Sequence, residues 1–278
     1  MKTLLTRSIS GLIFVSLVVL CLLWDERLIL VLFSFISGIA LYEYHHLFSS
    51  KTRFNYPALI SFIYGVICFF CLMYPAVYEN QTGFKGIHQS GINLSILIAL
   101  FGLFQLVSNR KHLVSNTLIL FMGVLYIIVP LYIGASIHLN EQGGFPILLG
   151  VFLLVWTNDT FAYLTGNLFG KHKLMEKISP NKTWEGFVGG VAFTILMGYI
   201  FDLYLFNQSI ETGTHFWIQS AFIIAPAAVL GDLFESALKR KQKVKDTGNI
   251  MPGHGGILDR FDAVLFAIPF FYLWHILF

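Results

Sequence analysis

Nine stretches of this chain are apolar for long enough to cross a lipid bilayer, and that leaves it few folds. They are Ser8–Leu23, Leu28–Leu47, Pro57–Tyr74, Ile92–Val107, Thr117–His138, Pro146–Gly166, Gly186–Phe206, His215–Phe234 and Phe261–Phe278. A helix needs about 20 such residues to span the hydrocarbon. There is no water there to satisfy backbone N–H and C=O groups, so only helices and closed barrels can cross. The runs are continuously apolar rather than alternating, which selects helices. The expected fold is therefore an all-α polytopic integral membrane protein of about nine transmembrane helices. Charged residues make up 12% of the chain, against about a quarter in soluble domains.

The polar segments between these runs set the orientation. With the N-terminus cytoplasmic, only Arg27 and Lys85 of the 18 Lys and Arg fall on the outer side. The positive-inside rule therefore puts the N-terminus in the cytoplasm and the C-terminus outside. The first run is read as a retained helix, because no small-residue cleavage site separates it from WDER. Two regions follow: residues 1–145 with spans one to five, and residues 146–278 with spans six to nine and the cytoplasmic loops 167–185 and 235–260. Cys21, Cys68 and Cys71 lie inside apolar runs and read as packing. Glu43, His45 and His46, among tyrosines near the end of the second run, read as interfacial, as does Asp202 in the seventh.

Chemistry-bearing residues crowd into Ser236–Asp262. Of the 18 Lys and Arg, Lys239, Arg240, Lys241, Lys243, Lys245 and Arg260 lie there, with Asp246, Asp259 and Asp262. The run PGHGG reads as a phosphate cradle, since glycines let backbone N–H groups approach an anion, and His254 adds a side-chain donor. Asp259 and Asp262 are three apart and share a face if the next helix has already begun, an arrangement that suits a hard cation. Just upstream, Asp232, Ser236 and Arg240 follow one another at helical spacing. A carboxylate that deep in an apolar run is costly, so function is the default reading for Asp232.

A second cluster follows the sixth run. Asp159 lies within the span and has two readings, a helix-pairing hydrogen bond or a place in the site. Thr183 is the expected N-cap of the seventh span, and the helix start beside Lys182 is a second anion site. Gly189 and Gly190 allow close helix packing.

The pattern SxxKRxxxxKD (Ser236, Lys239, Arg240, Lys245, Asp246), followed by PGHGGxxDRxD (Pro252 to Asp262), resembles the signature of the phosphatidate cytidylyltransferases, or CDP-diacylglycerol synthases. The stretches DTFAYLTGNLFGK and SPNKTWEG are similar to further patterns of that family. The resemblance implies that CTP and phosphatidate are joined to give CDP-diacylglycerol and pyrophosphate on the cytoplasmic face of the inner (plasma) membrane. It implies Asp232, Asp259, Ser236, Lys239 and Arg240 as catalytic residues. Lys182, Thr183, Lys245, Asp246, His254, Gly255, Gly256, Arg260, Asp159 and Glu185 would bind substrate. Mg2+, with room for a second cation, would be held by Asp232 and Asp259, with Asp246 and Asp262 completing the site. Membrane lipids and a homodimer are the implied partners, and nucleic acid is not.

The chemistry is consistent with that inventory. The second pKa of a phosphate monoester is about 6, so the lipid nucleophile is already charged at neutral pH and needs no general base. Two alternatives stand beside this reading. One is a related membrane nucleotidyltransferase or kinase acting on another lipid phosphate or a polyprenol. The other is a secondary transporter of a phosphorylated solute, disfavoured because no internal repeat is evident.

The orientation is testable directly. In a cysteine-free background, a single cysteine at Gln242 should label only from the cytoplasm, and one at Gln142 only from outside. The reverse pattern would invert the placement of every loop named above.

Overall fold

The computed structural model describes residues 2–24, 26–48, 56–78, 113–140, 144–205, 215–251, 253 and 255–277. Its helices are α1 (Lys2–Trp24), α2 (Glu26–Phe48), α3 (Tyr56–Tyr78), α4 (Leu113–Gly123), α5 (Val129–Asn140), α6 (Gly144–Phe169), α7 (Trp184–Ile200), α8 (Phe216–Lys241) and α9 (Leu258–Leu277). A π-helical turn, Val124–Ile128, joins α4 to α5, and a second, Phe201–Leu205, extends α7. Six stretches among the described residues are long and apolar enough to span a membrane, counting α4 to α5 as one, and Ile9–Trp24 and Ala58–Tyr74 are shorter apolar helices. The protein is thus a helical, multi-pass membrane protein. The expected span Ile92–Val107 lies outside the described residues.

The chain forms two compact units. The first comprises residues 1–140 with 246–260, and the second residues 141–245 with 261–278. Much of the signature segment thus groups with the N-terminal helices, although it follows α8 in sequence.

In the first unit α2 and α3 cross closely. A Cβ added at Gly65 would lie 2.8 Å from both Ser37 O and Gly38 Cα, so the two backbones meet where neither helix carries a side chain. Such small-residue crossings suit a membrane, where apolar side chains gain little by leaving lipid. Phe33 and Phe69 pack edge to face between the same helices. His45 is buried and hydrogen-bonds through Nδ1 to Ser61 Oγ, so it faces the bundle rather than an interface.

In the second unit α6 and α7 pack through another glycine contact: a Cβ at Gly186 would stand 2.7 Å from the Ala162 carbonyl oxygen. Phe161 stacks on Phe193 with ring centroids 4.0 Å apart. Pro226 in α8 and Pro269 in α9 lie inside helices, as membrane helices tolerate when neighbours satisfy the freed carbonyls.

Two local features differ from the sequence expectation. Within loop 167–185, β1 (Lys173–Met175) and β2 (Ser179–Thr183) form an antiparallel hairpin, with Lys173 opposite Thr183 and Met175 opposite Ser179. Strands of 3 and 5 residues are too short to show a period-two pattern. Asp202 is not a surface anchor: its carboxylate accepts from the Trp217 N–H at 2.9 Å and the Ile218 N–H at 3.2 Å, capping α8 from the preceding turn. α8 runs to Lys241, past the apolar run that ended at Phe234, and so carries Asp232, Ser236 and Arg240 on one helix as their spacing implied.

The α2–α3 crossing predicts that Gly65→Leu destabilises the protein by about 1–3 kcal/mol through overpacking, with Gly65→Ala less harmful. Unfolding midpoints in a mixed-detergent titration measure this, and a leucine variant as stable as the parent would contradict the contact.

Candidate functional site

α8 presents its polar residues in a row because three to four residues make a turn. Ser236 Oγ donates to Asp232 Oδ1 at 3.1 Å, one turn back along the helix. Lys182 Nζ, from the end of β2, reaches Asp232 Oδ2 at 2.7 Å. One turn on, Lys239 Nζ donates to the buried Glu235 at 2.8 Å. Asp262 on α9 lies within charge–charge range of both Asp232 and Asp159, and its Oδ1 accepts from the Ala263 N–H at 2.7 Å. The second unit therefore brings together Asp159, Lys182, Asp232, Ser236 and Asp262, drawn from four elements. Glu235, which the sequence reading passed over, is the partner of Lys239.

The hairpin is what carries Lys182 to this place. Thr183 ends β2 with extended backbone, and its Oγ1 accepts from the Gly186 N–H at 3.1 Å, so it is the N-cap of α7 as expected. Glu185 then closes the base of the hairpin. It accepts from the Lys171 N–H at 3.1 Å and the His172 N–H at 3.2 Å, and pairs with His172 Nδ1 at 2.6 Å. Arg240 braces the other side, donating to Ile178 O at 3.3 Å and Val244 O at 3.1 Å. Thr183, Glu185 and Arg240 thus hold the backbone around the lysine.

The signature segment itself belongs to the first unit, and its hydrogen bonds turn inward. Asp259 Oδ2 accepts from the Thr247 N–H at 3.0 Å and the Gly256 N–H at 2.8 Å. Gly255 has φ +88°, and a Cβ there would stand 2.7 Å from Asp259 Oδ2. The next two amides go to a second carboxylate, Glu43 of α2. Its Oε1 accepts from Ile257 N at 3.1 Å, and its Oε2 from Leu258 N at 2.8 Å and Thr247 Oγ1 at 3.3 Å. Of the glycine-rich run, the Gly256 N–H is taken by the protein's own Asp259, and the two amides after it by Glu43. Glu43, read from sequence as interfacial, is 1% exposed. No local signal announces its role, since its partners lie 204 to 215 residues away. Lys245, Asp246 and Arg260 are exposed, and Pro252 and His254 lie outside the described residues.

As to a metal, no three His, Cys, Asp or Glu side chains among the described residues gather tightly enough to enclose an ion. Mg2+ rarely asks for such a cage; it is held by one or two carboxylates together with water and phosphate oxygens. The hard oxygen donors of Asp232 and Asp262 fit an ion of that kind. Asp232 already meets Ser236 at one oxygen and Lys182 at the other, and Asp259, 8% exposed, has Oδ2 engaged by two amides.

The chain spans about half the length of two curated relatives and somewhat more of a third. A phosphatidate cytidylyltransferase from Bacillus subtilis is 38% identical over 187 residues, which cover 65% of this chain and 68% of the relative. One of the same name from Haemophilus influenzae is 45% identical over 130 residues, 46% and 45% of the two chains. Another from Staphylococcus aureus is 46% identical over 136 residues, 47% and 49%. The match to a family extends further than any of these pairwise alignments, from residue 5 to residue 278. Spanning both the helices and the charged segments between them, that match makes this chain a member of the Cytidylyltransferase family.

Proposed function

We propose that the protein transfers the cytidylyl group of CTP to phosphatidate, giving CDP-diacylglycerol and pyrophosphate for phospholipid synthesis. The match of residues 5–278 to the Cytidylyltransferase family carries this reading. The names of the relatives supply the lipid, and the positive-inside rule supplies the cytoplasmic face of the cell membrane. CTP and phosphatidate are the substrates, membrane lipids surround the spans, and a homodimer is the proposed assembly.

A phosphate oxygen of phosphatidate attacks the α-phosphorus of CTP. A new P–O bond forms, the bond to the β-phosphate breaks, and pyrophosphate leaves with the electron pair. The nucleophile is already anionic, so the protein's task is to hold two polyanions together and balance charge on the leaving group. Lys182, held at Asp232 by an ion pair of 2.7 Å, would meet phosphate oxygens. Ser236 fixes the other Asp232 oxygen and so the rotamer of the carboxylate. Asp232 and Asp262 would hold Mg2+, which when bound supplies positive charge to the phosphate oxygens. Arg240 and Glu185 act at one remove, by keeping the hairpin and Lys182 in register with α8.

Purified protein given radiolabelled CTP, phosphatidate and Mg2+ should yield a lipid-soluble cytidine product and an equal amount of pyrophosphate. Label that stays wholly in the aqueous phase overturns the proposal. Asp232→Asn should lower turnover at least about 100-fold, or ~2.7 kcal/mol of transition-state stabilisation, in protein that still inserts and purifies as a single species. Lys182→Gln should lose at least about tenfold, and near-normal rates in both variants would move the reacting centre away from α8.

A further inference from the structure

Glu43 lies outside every motif that carries the family likeness, yet the signature segment is fastened to it. Its carboxylate accepts the Ile257 and Leu258 N–H groups and the Thr247 hydroxyl. The first of these amides precede or open α9, where a helix has donors without intrahelical partners and a partial positive charge. An anion seated there is strongly held, and here the anion is supplied by a helix more than 200 positions earlier. The fit is built on both sides. A Cβ at Gly248 would stand 2.3 Å from Glu43 Oε1, and one at Gly256 2.4 Å from Oε2, so two glycines leave the room that the carboxylate fills. Thr247 is gripped twice, by its hydroxyl at Glu43 and by its amide at Asp259.

We propose that Glu43 is a positioning residue for cytidylyl transfer: it touches no substrate, and it fixes the backbone of residues 247–258, and with it Asp259 and the flanking Asp246 and Arg260, which the family resemblance implies as site residues. This rests on the reading of the segment as part of the reaction site. Side-chain chemistry makes the demand specific. Glutamine has the same length but places an N–H₂ where one oxygen now accepts, so it cannot take all three donors. Aspartate keeps the charge and loses the reach.

Three variants test this: Glu43→Gln, Glu43→Asp, and Gly248→Ala, which crowds the carboxylate without removing it. Turnover is measured per folded molecule at saturating CTP and phosphatidate, alongside hydrogen exchange at the Ile257 and Leu258 amides. The expected result is a loss of at least about tenfold in kcat for Glu43→Gln and Gly248→Ala, with faster exchange at those two amides and unchanged exchange in α6 and α7. Glu43→Asp should fall between them and the parent. The double variant Glu43→Gln with Gly248→Ala should be little worse than either single one, because both act through one contact. An active parent with variants of normal kcat, or slowed variants whose two amides exchange as in the parent, overturns the inference alone. A parent that makes no cytidylyl lipid overturns the reaction and the inference with it. Failure of all three variants to yield folded protein also overturns it, since the contact would then serve the fold.

Discussion

A buried carboxylate seated on the unpaired amides of a helix start is the contact on which the signature segment depends. Residues 246–251 and 255–257 form no regular helix and only one isolated bridge, between Met251 and Gly255. Such a segment must find partners for its backbone groups elsewhere, or remain in water. Here Glu43 and Asp259 together take four amides and a hydroxyl. The glycines at 248, 255 and 256 are what let carboxylates come so close. Without them the same hydrogen bonds would require side chains and oxygens to share space.

The same device recurs at α8, where Asp202 receives the first amides of the helix from the π-helical turn before it. The cap position itself, His215, has φ +83° and offers no side-chain bond. In both cases a charge that looked like a membrane-surface anchor is a ligand for helix amides. Elsewhere in the second unit three charges of α8 are met by opposite ones: Asp232 by Lys182, and Glu235 and Lys239 by each other. Charge in an apolar bundle is costly when alone, and these pairings show how it is accommodated.

How much of this the sequence disclosed depends on range. Apart from 92–107, the apolar runs located the described helices, because membrane spans are coded by local composition. Thr183 was legible as a cap and Ser236 as a neighbour of Asp232, since both contacts span only three or four residues. Glycine in the signature was legible as close backbone approach, but not that Asp259 and Glu43 would be among the groups approached. Glu43 and Asp202 escaped because their partners come from other elements, and nothing beside them in the chain marks a carboxylate as a cap. The hairpin escaped because its strands are shorter than the period that reveals a strand. The fourth apolar run, Ile92–Val107, and His254 fall outside the described residues.

The distance between Glu43 and its partners also sets an order of events during synthesis. α2 leaves the ribosome and enters the membrane while the residues that will occupy its carboxylate, 204 to 215 positions later, have yet to be translated. Until then Glu43 has neither the Thr247 hydroxyl nor the α9 amides. Residues 246–260 can take their place against Glu43 only once they are made, so any earlier packing of the N-terminal helices must leave that carboxylate without these donors.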